Sequence, residues 1–384
     1  MYDRREWIRM APLALVPGLT LAGRGRGEDE KSPGLTVRMN EPRNLEAPFS
    51  HLVTFQTPTE QFYVRSHFAV PTVDAKSYRL KVEGAVERPV ELTLEDLGKL
   101  PAGSRPLTLE CAGNGRVFLN PAVSGLQWGL GAVGTAKWTG PTLAAVLALA
   151  GVKKDAVEVI LEGADTGSIN GEPKTPGPIH FARSLPLAKA LKPEVVLAVR
   201  MNDRPVPVSH GFPVRAVVGG WFGMASVKWL TRIVVTAKPF QGYFQTLNYS
   251  YFVREDGRPT LVPVTKLVPK ASISQPSFGD VVPAGKKLTV TGWAWTGDGK
   301  VAKVEVNDDD DGGKAWAAAK LVGEDEPFCW RKWEYEWSVP GTPGPVKLLA
   351  RATDDAGNTQ PTRRDIDRRQ YMINHLVPVE VTVR

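Results

Sequence analysis

The chain has 384 residues, 42% of them hydrophobic and 23% charged, which gives room for two or three folded domains and excludes a disordered or fibrous protein. Its formal charge of +7 is modest for this length, and the basic residues are scattered, which argues against nucleic acid as the main partner. The two cysteines, Cys111 and Cys329, form no C-x-x-C, so zinc ribbons, redox dithiols and c-type haem attachment are all absent.

At the start of the chain, Arg4 and Arg5 precede a mildly apolar run from Ala11 to Ala22 that is too short to span a bilayer. Residues 1–30 therefore look like a twin-arginine export signal, which predicts a periplasmic or otherwise exported protein with no membrane span in its mature chain. Residues 24–60 read as an extended arm, and FYVRSHFAV and YRLKVEGAV as alternating strands. Thr93 followed by Asp96 resembles a capping box opening a short helix, TLEDLGKL.

LTLECAGNGR then places Cys111 in a glycine-rich turn with Arg116 five residues behind it. PTLAAVLALAG predicts a helix closed by Gly151, and SLPLAKAL a second one. VEVILEG, VVLAVRMN, FPVRAVVGG and VKWLTRIVV are strand signals without a regular βαβ rhythm, so an α+β domain with mixed sheets is expected over 31–265. From about Lys266 helical periods vanish, and KLTVTGWAW, AKVEV, KWEYEWSV and VKLLARATD predict an all-β, immunoglobulin-like sandwich over 266–384.

Three motifs mislead. Gly129, Gly131 and Gly134 spell G-x-G-x-x-G, but Trp138, Gly140 and Pro141 intervene before any helical run, so a close-packed loop is expected instead of a dinucleotide site. NDDDDGG lacks the alternating acids of a calcium loop and reads as a solvated hairpin. Ser209 and His210 are neighbours that a strand would point to opposite faces, and no G-x-S-x-G accompanies them.

With these set aside, LTLECAGNGR resembles the cysteine segment of the sulfite oxidase family of molybdenum enzymes, in which the thiolate is the protein's metal ligand. TPTEQFYVRSHFAVP is similar to the family's leading segment, and by that resemblance Arg65 lines the substrate pocket and His67 meets the cofactor. SGLQWGLGAVGTAKWTG places Trp128 beside the pocket, and NDRPVPVSHGFPVRAVVGGWFGMASVKWL assigns His210, Arg215 and Lys228 to the pterin and its phosphate. The C-terminal unit resembles the family's dimerisation domain, and FCWRKW looks like the stretch returning an arginine, here Arg331, to the active site. The resemblance thus implies a homodimer carrying molybdenum-molybdopterin on Cys111, without haem in this chain, that oxidises sulfite to sulfate and passes electrons to an external acceptor such as a c-type cytochrome. Arg65, Arg116 and Arg331 would hold the oxyanion through planar, charge-assisted hydrogen bonds.

One departure stands out. The resemblance leads us to expect a tyrosine before SLPLAKAL, where the chain reads PIHFARSLPL, with His180 and Phe181 in its place. Two other functions are therefore weighed: a molybdopterin reductase acting on a sulfoxide or other oxidised substrate, and a cofactor-free binding protein built on the sandwich.

Overall fold

A computed structural model describes residues 34–308 and 315–384. The export-signal segment and most of the acidic NDDDDGG stretch lie outside the described residues.

The N-terminal part is built on two sheets. One has four strands in the order Arg204–Pro205, Arg200–Met201, Val133–Pro141, Ala102–Glu110. The other has five, in the order Val90–Leu92, Leu80–Gly84, Leu230–Thr236, Glu158–Gly167, Ile179–Pro186. The second sheet is mixed, because Leu80–Gly84 and Leu230–Thr236 pair in parallel while the other pairs are antiparallel. The expected α+β character holds, with helices few and short.

The Thr93 box forms as anticipated: its hydroxyl accepts from the Asp96 amide and Asp96 accepts from the Thr93 amide, capping Leu94–Lys99. Thr142 caps the helix Leu143–Ala150, and Gly151 closes it at φ +70. FYVRSHFAV departs from expectation. It contributes only an isolated bridge from Val64 to Leu45, because its polar groups are spent elsewhere: the Ser66 amide donates to Asn44 Oδ1.

The G-x-G-x-x-G segment opens a strand, not a helix, and its glycines are explained by crowding. Buried Glu46 accepts from the amides of Gly129 and Gly131 at 3.0 and 2.9 Å. A Cβ on Gly131 would lie 1.6 Å from the Ala47 carbonyl oxygen. Gly131→Ala is therefore expected to destabilise the chain by about 2–3 kcal/mol, as urea unfolding would register.

The C-terminal part is all β. Its eight strands join in one order, beginning with Lys270–Gln275 and including Lys287–Trp295, Arg331–Ser338, Val301–Asn307 and Gly344–Asp354. A separate apolar cluster built on Ile273, Val290, Val304, Trp333, Leu348 and Val381 forms its core.

The two parts are stapled along the strand Ala102–Glu110. The Thr108 amide donates to the Phe328 carbonyl at 3.0 Å, the Trp330 amide to Thr108 Oγ1 at 2.7 Å, and Cys329 Sγ to the Pro106 carbonyl at 3.2 Å. Trp293 and Trp330 stack at 4.3 Å, and their indole nitrogens donate to the carbonyls of Leu52 and Phe55. Both cysteines are free and buried.

Candidate active site

Strand Ala102–Glu110 delivers Cys111 into a turn held by its own backbone: the Cys111 amide donates to the Ala132 carbonyl, and the Asn114 amide donates back to the Cys111 carbonyl. Gly115 adopts φ +96, and a Cβ on Gly113 would sit 2.2 Å from the Arg116 guanidinium, so this turn needs its glycines.

Cys111 faces a partly open cleft whose empty space, open solvent included, is about 640 Å³. Around it stand Arg65, Ser66 and His67 from the leading segment, His210 and Arg215, Lys228, and four side chains that sequence reading did not assign: Tyr63, Asp165, Met224 and Tyr249. Phe181 also lines the cleft, so the doubtful segment PIHFARSLPL does reach it, through an apolar ring. His180 is exposed, with its Nδ1 3.0 Å from the Gly163 carbonyl oxygen.

The phenol that seemed missing is present on another segment. Tyr249 Oη lies 2.8 Å from His67 Nε2, and Tyr249 is held at φ +45, a costly conformation for an aromatic residue. The Asn248 side chain fixes it by accepting from the Tyr249 amide, and Tyr371 packs its ring on it at 4.9 Å. Burial raises the Tyr249 phenol above its ordinary range, so it stays protonated and can donate. His67 stacks on Phe181 at 4.6 Å; burial first, then Arg65 and Lys228, push its pKa down.

The cleft is strongly cationic. Arg215 is buried and donates to the carbonyls of His210 at 2.9 Å and Ser226 at 3.1 Å, with no carboxylate among these partners. Lys228 Nζ donates to Ser66 Oγ at 2.8 Å and the Ser209 carbonyl at 2.9 Å, and burial and Arg215 lower its pKa. His210 is likewise pushed down, by burial and then Arg215. It stands on the short 3-10 turn Val208–His210, not on the strand that the Ser209-His210 pair had suggested.

Among the described residues, Asp165 is the one carboxylate lining the cleft. Burial raises it to about 6 against the pull of Lys228, and its Oδ1 has no hydrogen-bond partner. The folded carboxyl thus binds its proton more tightly than the unfolded one. That stabilisation is complete below about pH 4 and is lost as pH rises through about 6. In cofactor-free protein, Asp165→Asn should flatten a fall of about 3 kcal/mol over this interval, read as Tm against pH.

Three assignments need correction. Arg331 does not line the cleft: it opens a strand of the C-terminal sheet and pairs with Asp325 at 2.8 Å, the pairing that tethers its guanidinium there. The C-terminal part reaches the site through another segment, where the Met372 amide donates to the Ala112 carbonyl and Tyr371 covers Tyr249. Arg116 is buried behind the turn, donating to the carbonyls of Leu126 and Gln370; burial raises the Cys111 thiol, and the Arg116 charge offsets that in part rather than offering a free fork to an anion. Trp128 is fully buried in the apolar cluster beneath Cys111, so it supports the turn without lining the cleft.

The donor set fits a metal brought in with most of its own ligands. Among the described residues no three His, Cys, Asp or Glu side chains gather to hold an ion, so a metal at Cys111 would gain one thiolate from the protein. The unpartnered Asp165 oxygen and the cations opposite it offer contacts for a polar, anionic organic group.

Comparison with known proteins agrees with this geometry. The oxidoreductase molybdopterin binding domain matches residues 67–244, and the Mo-co oxidoreductase dimerisation domain matches residues 263–383. These define the class as a molybdopterin oxidoreductase. Sulfite oxidase of Gallus gallus is 36% identical over 353 residues, covering 87% of this chain and 74% of that protein. The Arabidopsis thaliana sulfite oxidase is 32% identical, covering 90% and 93% respectively. The chain spans 62% of the length of the mitochondrial sulfite oxidase of Rattus norvegicus, at 36% identity. The sulfane dehydrogenase SoxCD from Paracoccus pantotrophus superposes with a TM-score of 0.76 at 26% identity, over 98% of this chain and 96% of that one. The chain belongs to the sulfite oxidase family of molybdopterin oxidoreductases.

Proposed function

We propose that the protein oxidises sulfite to sulfate, taking the oxygen from water and passing two electrons and two protons outward. The observation that carries this reading is the cationic cleft over a buried, glycine-framed thiol: Arg65, Arg215 and Lys228 against the single carboxylate of Asp165. When bound, the molybdenum group supplies the two-electron redox chemistry. Cys111 would hold the metal, and His210, Arg215, Lys228 and Asp165 would hold the pterin and its phosphate. Arg65 would orient the anion, since its guanidinium is braced by Asn44 and the Ser66 carbonyl and lines the cleft. Tyr249 would present its hydroxyl beside it, aimed by the 2.8 Å contact with His67 Nε2.

The C-terminal unit we read as an immunoglobulin-like dimerisation domain, and electron transfer as going to a separate acceptor, such as a c-type cytochrome. Arg4 and Arg5 ahead of an apolar run support export by the twin-arginine route. A sulfane sulfur carried on a larger substrate is a second reading. It is favoured by the absence of Arg331 from the cleft lining and by the likeness to a sulfane dehydrogenase.

Purified protein matured with its cofactor should contain one molybdenum per chain by mass spectrometry and should reduce an artificial one-electron acceptor when given sulfite. Metal without sulfite turnover, but with turnover of a sulfane donor, would select the second reading. Sulfoxide reduction by the same sample would reverse the electron flow, and a properly matured protein free of metal would overturn both readings.

A further inference from the structure

Glu110 ends the cysteine-bearing strand one residue before Cys111 and is only 2% exposed. Both of its oxygens are taken. Oε1 accepts from Lys270 Nζ at 2.8 Å and from Asn114 Nδ2 at 3.0 Å, and Oε2 accepts from the Trp295 indole nitrogen at 2.8 Å. Lys270 Nζ also donates to the Asn114 carbonyl at 3.1 Å, and Asn114 Oδ1 accepts from the Ala132 amide. Lys270 and Trp295 belong to the first and second strands of the C-terminal unit, while Glu110 and Asn114 flank Cys111. The ion pair is therefore an inter-domain one, buried on both sides.

Stability alone does not account for such a pair, because well-packed apolar side chains of similar volume often serve a fold equally well. What an apolar substitute could not do is hold the carbonyl and side chain of Asn114 while cancelling a carboxylate charge beside the thiol. We propose that Lys270, assisted by Trp295, is a positioning residue for Cys111: from the C-terminal unit it sets the geometry of the cysteine turn and neutralises Glu110 next to the thiolate. The proposal rests on Cys111 being the molybdenum ligand, and it gives the C-terminal unit a part in the redox site itself.

The test compares full-length wild type, Lys270→Met, the double variant Glu110→Gln/Lys270→Met, and Trp295→Phe, with the loaded forms matched for molybdenum content. The wild type is examined first for a thiolate-to-metal absorption band, whose absence would overturn ligation by Cys111 and with it the premise. With the band present, Lys270→Met should displace it, lower the metal's midpoint potential and cut kcat about tenfold with little change in KM. The double variant should recover the potential but not kcat, because it removes the stray charge without rebuilding the turn. In the cofactor-free chain, the double variant, which leaves no uncancelled carboxylate to disfavour the thiolate, should speed iodoacetamide alkylation of Cys111 about tenfold while leaving Cys329 unchanged. Wild-type band and potential in Lys270→Met, with a wild-type alkylation rate in the double variant, would overturn the proposal. Should that variant fail to fold, Trp295→Phe decides, since it removes one donor and no charge: faster Cys111 alkylation with lower kcat supports positioning, and wild-type values of both overturn it.

Discussion

Serine in place of Cys111 is expected to lower sulfite turnover by at least about a hundredfold while the protein still melts as a folded chain. The side chains are nearly the same size, and the turn is held by backbone bonds to the Ala132 carbonyl and from the Asn114 amide that do not involve sulfur. What changes is the donor. Burial raises the Cys111 thiol, and Arg65 and Arg116 offset that only in part, so the thiol keeps its proton until a metal displaces it. A serine hydroxyl loses its proton far less readily and is a poorer partner for a metal that accepts thiolate. Wild-type turnover in Cys111→Ser with molybdenum retained would remove the cysteine from the chemistry.

The second large effect is expected at Tyr249. Phenylalanine there keeps the ring and its packing on Tyr371 but deletes the hydroxyl that meets His67 Nε2. A positioned proton donor contributes on the order of a hundredfold, so kcat in Tyr249→Phe should drop by about that factor with metal content unchanged. Burial keeps the phenol protonated, and so it should impose no alkaline limb of its own on the pH profile near neutrality. An unaltered kcat would reduce Tyr249 to a packing residue. The corresponding change at His180 should leave turnover as it was, because that side chain is exposed and does not line the cleft.

The contrast between these two positions shows what the sequence could convey. Cys111, Arg65, His67, His210, Arg215 and Lys228 were legible because each stands in a dense local motif, and the fold brings all six to one cleft. Tyr249 was not, because its site partner His67 is 182 residues away and the short segment NYSYF reads like any strand start. Asp165 was hidden differently. It falls in phase with Val159, Leu161 and Gly163 on the buried face of its strand, where a lone acid in the run EGADTG belongs to no recognisable motif. Arg331 and Arg116 show the opposite error, in which the right residue type in a plausible motif is committed elsewhere by one ion pair or two carbonyls. Periodicity served the fold better, since the Thr93 box and the change to all-β structure near the strand Lys270–Gln275 are local signals.

The staples along the strand Ala102–Glu110 bear on how the molecule comes into being. During synthesis the cysteine strand emerges more than 200 residues before Phe328, Cys329 and Trp330, the groups that fasten its Pro106 and Thr108. Until those residues leave the ribosome the thiol sits on an unfastened edge. A nascent chain cut before them should therefore expose Cys111 to alkylation, and only the finished chain should protect it.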